Sequence, residues 1–204
     1  MSIANFPMVR GQLDEIEKSA QRTTAGVFKF YQQLLSLKTG LVSDNETSES
    51  IEIRKYRFDI REIIMLQKIT TSKETVDTIR KAMSIFGGHG VIEDFSSLPR
   101  LFRDAIVNEL WEGPRNVLLA QIHRDIKRAS SWYAPTEFVS RVLRGLDDAT
   151  IKSFAKEMDE LIRHASLTTM DDRTIDVCTR WDDYCQRFFR AYQENALSEV
   201  NQSN

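Results

Sequence analysis

The 204-residue sequence has few residues that interrupt helices. It contains 8 glycines and 4 prolines, and they fall at a few points rather than throughout the chain. A turn-rich β fold needs more of both, so this scarcity predicts an all-α fold with long helices. With 41% hydrophobic residues, a chain of this length can bury a core of its own.

Cysteines are also scarce, and the two present are poorly placed for a disulfide. Cys178 and Cys185 lie seven positions apart in a segment that reads as helix. At 1.5 Å of rise per residue their Cα atoms should be roughly 10 Å apart, which exceeds the reach of a disulfide. We therefore expect two free thiols, which fits a reducing compartment. No group of histidine, cysteine and carboxylate residues has metal-ligand spacing, so no metal site is predicted.

An excess of charge of either sign is missing, with 28 lysines and arginines against 30 aspartates and glutamates. Such a chain lacks the long-range field that gathers nucleic acid or acidic membranes. No apolar run approaches the roughly 20 residues that cross a bilayer, and Met1 to Arg10 lacks the order of a signal peptide. We expect a cytoplasmic protein with no membrane segment and no general affinity for nucleic acid. A local basic patch could still form from Arg141, Arg144, Lys152 and Lys156.

Hydrophobic periodicity predicts two long helices in the first half of the chain. Apolar residues recur at steps of three and four from Val9 to Leu34, and that helix should end near Gly40. The polar segment 42–50 has no period and is predicted to be a loop. A second helix should run from Ile51 to Phe86, where two glycines can close it.

Shorter helices are predicted after these glycines, because proline and aspartate mark their starts. They should begin near Ser97, near Pro114 (ending about Ala129), at Pro135, at Asp147 (ending about His164) and at Asp171. The last helix carries an apolar stripe that predicts a buried face. Its members are Cys178, Trp181, Cys185, Phe188 and Tyr192.

Three short motifs follow one another in the middle of the chain. They are Gly87-Gly88-His89-Gly90, Arg103-Asp104 and Trp111-Glu112-Gly113. The last motif places a carboxylate on a tight turn beside a large apolar side chain, because Gly113 closes one helix and Pro114 opens the next. The glycine cluster ends a helix, so it is not a dinucleotide-binding fingerprint. Taken singly, the two glycine-containing motifs also fit turns without a function. Arg103-Asp104 also fits a structural role, with Asp104 tying a loop and Arg103 bridging to a neighbouring helix.

In this order the motifs resemble the C-terminal helical domain of the FAD-dependent acyl-CoA dehydrogenases, most of all the AidB-like branch of that family. The resemblance covers about residues 6–128. It implies a helical bundle over residues 1–131 whose first helix is missing from this chain, followed by a helical extension over residues 132–204. The chain departs from the family pattern at Ser84, where most relatives have glutamine, and at Pro114, where they have threonine or serine.

The resemblance also implies a chemistry. Glu112 stands at the position of the base that removes the α-proton of an acyl thioester. Gly87 and Gly88 would contact FAD across a subunit interface, with Gly113 and Asn116 near the same cofactor. The chain would then be the C-terminal portion of an enzyme that oxidises acyl-CoA to 2-enoyl-CoA. Its partners would be further copies of itself or the missing N-terminal and β domains, and a protein that accepts electrons. By itself it is expected to bind FAD weakly or not at all.

Two other functions stay open on the sequence. One is a non-catalytic helical module that supplies oligomer contacts to a partner. The other is an AidB-like flavoprotein domain associated with nucleic acid, against which the balanced charge argues.

Overall fold

The computed structural model describes residues 2–37, 50–164 and 166–202, and within these ranges the chain is helical with no β-strand. The all-α prediction is therefore confirmed. Short 3₁₀ turns cover Ile3–Asn5 and Gly87–Val91. The helices are α1 (Pro7–Ser36), α2 (Ile51–Ile85), α3 (Leu98–Leu110), α4 (Arg115–Ala129), α5 (Pro135–Val142), α6 (Asp148–Ile162) and α7 (Asp172–Gln202).

Helix starts follow the predicted signals closely. The Asp147 carboxylate accepts a hydrogen bond from the Thr150 N–H at 2.9 Å, and Asp171 accepts one from Thr174 at 2.8 Å. Both contacts satisfy amide groups that a helix N-terminus leaves unpaired. α1 ends at Ser36, a turn before the expected end at Gly40, and the predicted loop lies outside the described residues except for its last position.

Four helices pack around one core. α2 and α7 pack on each other, and α1 and α4 each pack against both of them, while α3 runs back along α2. α5 and α6 pack on each other beside these four helices. The core therefore draws on helices from both halves of the chain, and its largest fully buried side chains are Trp181, Tyr133, Tyr184, Tyr192, Phe138, Phe188 and Phe189.

The C-terminal helix α7 packs on both α1 and α2. A bundle that lacks its first helix, as the resemblance implies, is expected to leave the apolar faces of these two helices partly uncovered. The predicted boundary between residues 131 and 132 stays a prediction, since the hydrophobic core is continuous across it. The predicted stripe of α7 is buried at Trp181, Cys185 and Phe188.

Two buried carboxylates of α2 tie neighbouring segments of the chain to this helix. Glu74 Oε1 accepts hydrogen bonds from Arg22 of α1 at 3.1 Å and from Arg190 of α7 at 2.8 Å. Asp59 accepts one from Tyr133 at 2.6 Å and one from Arg141 at 2.9 Å. Burial raises the pKa of Asp59 to about 6, against the opposing effect of these two hydrogen bonds.

Both cysteines are free thiols, as the spacing predicted, with Cys185 buried and Cys178 half-buried. None of the described helices combines the length and the apolar character that a membrane span needs.

Candidate active-site groove

Glu112 lies in a tight turn between α3 and α4, and its backbone is left-handed. Its φ is +52°, and no other non-glycine residue in the described part of the chain has a positive φ. Gly113 follows with a φ of +100°. A Cβ added at Gly113 would stand 3.0 Å from the Leu118 side chain, so the turn is packed against the first coil of α4. These two conformations form the break between α3 and α4.

A left-handed conformation costs an L-residue roughly 1–2 kcal/mol, which glycine avoids. Evolution commonly tolerates such strain where a side chain must point at a ligand or reacting group. The sequence has glycine at the next position but glutamate here, so the strain falls on the one residue of the turn that carries a carboxylate.

A groove of about 430 Å³ opens next to this turn, between α1 and α3 and above α2. Trp111 and Phe30 supply apolar wall, and Glu112 lies at the edge. The floor and the α3 side carry hydroxyl and amide groups that can hydrogen-bond a ligand. These groups belong to Gln67, Thr71, Ser72, Thr75 and Asn108.

The groove is open to solvent in this chain. Trp111 is 63% exposed and Glu112 is exposed, so the tryptophan does not enclose the carboxylate. A carboxylate that abstracts a proton from a carbon acid needs surroundings that exclude water. The described residues leave the groove without such a cover.

The predicted FAD-contacting glycines lie at the other end of α3. Gly87 and Gly88 precede this helix and Glu112 follows it, so about 20 Å of helix separates them. Within one chain the structure does not bring these residues together. The arrangement fits the expectation that the glycines serve a cofactor bound by a neighbouring subunit, and that contact stays a prediction.

The fold itself requires only some of these glycines. A Cβ at Gly90 would lie 2.1 Å from the Met83 carbonyl oxygen, so no other residue fits there. At Gly88 nothing lies within 4 Å, and its φ is not left-handed. Gly88 is exposed, and the chain's own packing gives no reason for glycine at this position.

Asn116 lies on a different face from Glu112. Its side-chain oxygen accepts a hydrogen bond from the Val117 N–H at 3.0 Å, which leaves its amide NH₂ available to a ligand. With Arg115 and Trp181 it lines a second cavity of about 650 Å³ between α4 and α7. Sequence patterns did not predict this cavity, because it depends on how α7 docks.

Arg115 is a second feature of this region that sequence patterns did not predict. Its guanidinium donates to Asp182 of α7 at 2.8 Å and to the Ile69 carbonyl of α2 at 2.7 Å. An arginine just inside a helix is common in sequences, and only the tertiary fold shows that it joins three helices at the base of the Glu112 turn.

The bundle and its turn glutamate define an all-helical domain with a carboxylate-bearing turn, and comparison with known proteins makes the class specific. Residues 45–127 match the family model described as "Acyl-CoA dehydrogenase, C-terminal domain". This match supports an acyl-CoA dehydrogenase C-terminal domain in this part of the chain, as the motifs predicted. This segment includes α2, α3 and most of α4, with the Glu112 turn inside it.

Two relatives agree with this assignment. "Acyl-CoA dehydrogenase family member 11" of Caenorhabditis elegans is 29% identical over 126 residues, which cover 56% of this chain and 20% of that protein. "Putative acyl-CoA dehydrogenase AidB" of Escherichia coli K12 is 33% identical over 66 residues, which cover 32% of this chain and 12% of that protein. The chain thus spans a fifth or less of these relatives' lengths. No solved structure matches the chain.

Proposed function

We propose that this chain contributes the base-bearing C-terminal bundle of a flavoprotein that oxidises acyl-CoA thioesters to 2-enoyl-CoA. The observation that carries the proposal is the left-handed Glu112, held at the edge of a groove inside the family segment. A strained carboxylate beside a ligand-sized groove is the arrangement expected of a residue that acts on a bound substrate.

In this reaction Glu112 takes the α-proton of the thioester. The C–H bond electrons become the new α,β double bond as a hydride leaves the β-carbon, so atoms and electrons balance. FAD, when bound, supplies the hydride acceptor. The hydroxyl and amide groups of the groove floor give the thioester hydrogen-bond partners, and Phe30 with Trp111 gives its acyl chain an apolar wall.

The residues proposed to hold FAD fit such a group sterically. Gly88 is exposed with open space around its Cα, so a flat or phosphorylated group can approach the backbone without meeting a side chain. Asn116 has its amide NH₂ available near the Glu112 turn. Gly87 and Gly113 complete the proposed set, and both have the positive φ that glycine tolerates.

The base assignment is tested by Glu112→Gln in the complete flavoprotein. Glutamine keeps the size and the hydrogen bonding of the side chain but cannot accept the proton. Flavin reduction by an acyl-CoA should slow by about 10²–10⁴-fold, with little change in thioester binding. Glu109→Gln, one turn earlier on α3, is the matched control and should leave the rate unchanged. Rapid-mixing measurement of flavin bleaching reads both, and a normal rate in the Glu112→Gln enzyme overturns the assignment.

A non-catalytic assembly role is the second candidate, and one observation favours it. The outer face of α1 exposes Phe28, Tyr31 and Leu35, which are 63%, 52% and 66% accessible. A face of this kind suits a helical partner. The two functions separate in the visible spectrum, because a flavin band in the assembled protein supports the enzyme and its absence from every assembled form supports the module.

The structure gives no support to the nucleic-acid alternative. Arg141 faces inward and is neutralised by Asp59 and Glu52, at 2.9 and 2.8 Å. Because Arg141 is neutralised, the predicted basic patch retains only Arg144, Lys152 and Lys156.

A further inference from the structure

The Glu112 turn is clamped at both ends by neighbouring residues of α2. The Lys68 ammonium donates to the Asn108 carbonyl oxygen in the last turn of α3. The carbonyl of the next residue, Ile69, accepts a hydrogen bond from the Arg115 guanidinium at the first residue of α4. Both chain segments that enter and leave the turn are therefore fixed to the same point of α2.

The second clamp depends on α7. Asp182 accepts hydrogen bonds from Arg115 through both Nε, at 2.8 Å, and Nη2. Gln186, one turn further along α7, lies 3.5 Å from the same nitrogen. The Arg115 side chain is 18% exposed, so these contacts fix the direction of the guanidinium and with it the bond to Ile69.

The geometry points to a positioning role for the C-terminal helix. We propose that Asp182 of α7, acting through Arg115, holds the Glu112 turn in its left-handed conformation. α7 begins at residue 172, beyond the family segment 45–127, so the extension would set the geometry of a turn that the family segment carries. The effect of this positioning on catalysis rests on the proposed function, whereas the effect of Asp182 on the conformation of the Glu112 turn does not.

The strain at Glu112 explains why a clamp is needed. A turn that stores strain in one left-handed residue opens readily unless both of its ends are fixed. Without Asp182 the guanidinium is free to turn towards solvent, and α4 would lose its bond to the Ile69 carbonyl. The turn would then relax and move the carboxylate away from the groove.

Hydrogen–deuterium exchange of the 204-residue chain tests the clamp through Asp182→Asn. The hydrogen-bonded amides of Trp111, Val117 and Leu118 should exchange roughly tenfold faster than in the unaltered chain, because a charge-assisted hydrogen bond is weakened. Asp183→Asn is the matched control, since Asp183 is the next residue and pairs with Arg187 at 2.6 Å instead. It should leave these amides unchanged, and Asp182→Glu should restore slow exchange.

Two results would overturn the proposal. One is an unchanged exchange rate at the amides of Trp111, Val117 and Leu118 in the Asp182→Asn variant. The other is faster exchange along the whole of α7, which would show that the pair only docks this helix.

A second measurement separates this proposal from the base assignment. In the complete flavoprotein, Asp182→Asn should slow flavin reduction, and should cause no further loss once Glu112 is already replaced by glutamine. If the exchange result holds while Glu112→Gln has a normal rate, the clamp stands and the base lies elsewhere. Equal slowing by Asp182→Asn in both backgrounds overturns the positioning role.

Discussion

At the scale of single residues, Glu62 shows how a buried charge is handled in this bundle. The side chain is fully buried in α2, and neither carboxylate oxygen has a hydrogen-bond partner in the described part of the chain. Arg61 Nε stands 3.6 Å away. Burial, with the neighbouring Asp125 carboxylate as a smaller contribution, raises the pKa of Glu62 well above its usual value, so the neutral acid is the form that the fold favours.

This residue predicts that stability falls as pH rises. The pKa of Glu62 is higher in the folded chain than in the unfolded chain. Its contribution to the free energy of unfolding is therefore fully present below the unfolded pKa and is lost as pH rises through the folded pKa. Glu62→Met removes the acid, and should raise the free energy of unfolding by about 1–3 kcal/mol at pH 8 and by less at pH 5. Thermal unfolding at the two pH values measures this. Glu194→Met on the exposed side of α7 is the control, and an equal gain at both pH values would contradict the prediction.

The packing of the chain requires glycine at position 90, whereas at position 88 only the proposed FAD contact requires it. Gly90→Ala should destabilise the chain by about 1–3 kcal/mol, because its Cβ would meet the Met83 carbonyl. Gly88→Ala should change stability by less than about 0.5 kcal/mol, since nothing lies near it. In the complete flavoprotein Gly88→Ala should weaken FAD binding by roughly tenfold. Melting curves and FAD titration measure both, and unaltered FAD affinity would remove Gly88 from the proposed site.

The motifs therefore predicted the Glu112 turn but not its geometry. Gly113 and Pro114 indicate a helix break through local conformational preferences, which can be read from the sequence. The left-handed φ of Glu112 is held by contacts from α2 and α7, distant in sequence, so nothing beside Glu112 in the chain signals it.

At the scale of secondary structure elements, α7 is the helix on which the bundle depends. The rings of Trp181, Tyr184 and Phe188 stack along it, with centroids 5.7 Å apart in each step. Periodicity predicted the buried positions of Trp181 and Phe188 but did not include Tyr184, which stacks between them. Periodicity could not show that these rings pack against α4, α5 and α6, since an apolar face does not encode which helix covers it.

Truncation of a ring in α7 should therefore be costly. Phe189 is fully buried, and Phe189→Ala should lower the free energy of unfolding by about 3–5 kcal/mol. Ile175→Ala, on the same helix but 52% exposed, should change it by less than about 0.5 kcal/mol. Urea unfolding followed by circular dichroism compares the two. Similar losses in both variants would mean that α7 is not part of the cooperative core.

At the scale of the whole molecule, the described residues leave apolar surface exposed. Phe28 and Leu35 contribute to it on α1, and Val107 and Leu110 on α3, all of them more than half exposed. The sequence predicted uncovered apolar faces for this chain. It could not predict which part α7 would cover, because that depends on how the helices pair.

We expect the chain to self-associate through this surface. Phe28→Lys combined with Leu35→Lys should shift the protein towards monomer in sedimentation velocity, because apolar contact area is replaced by charge. Val200→Lys on α7, where the valine is 48% exposed, is the control and should leave the distribution unchanged. A wild-type chain that sediments as a monomer at high concentration would rule out this surface as a self-association site.

The contact between the first and last helices also governs how the chain is made. Lys29 of α1 meets Glu199 of α7 at 2.7 Å, although 170 positions separate them. On the ribosome α1 and α2 therefore emerge long before α7, which packs against both. Until then their apolar faces are open to other chains, and contacts this distant in sequence form slowly. A nascent chain halted before residue 172 is thus a natural client for chaperones, and synthesis of α7 covers the faces that they bind.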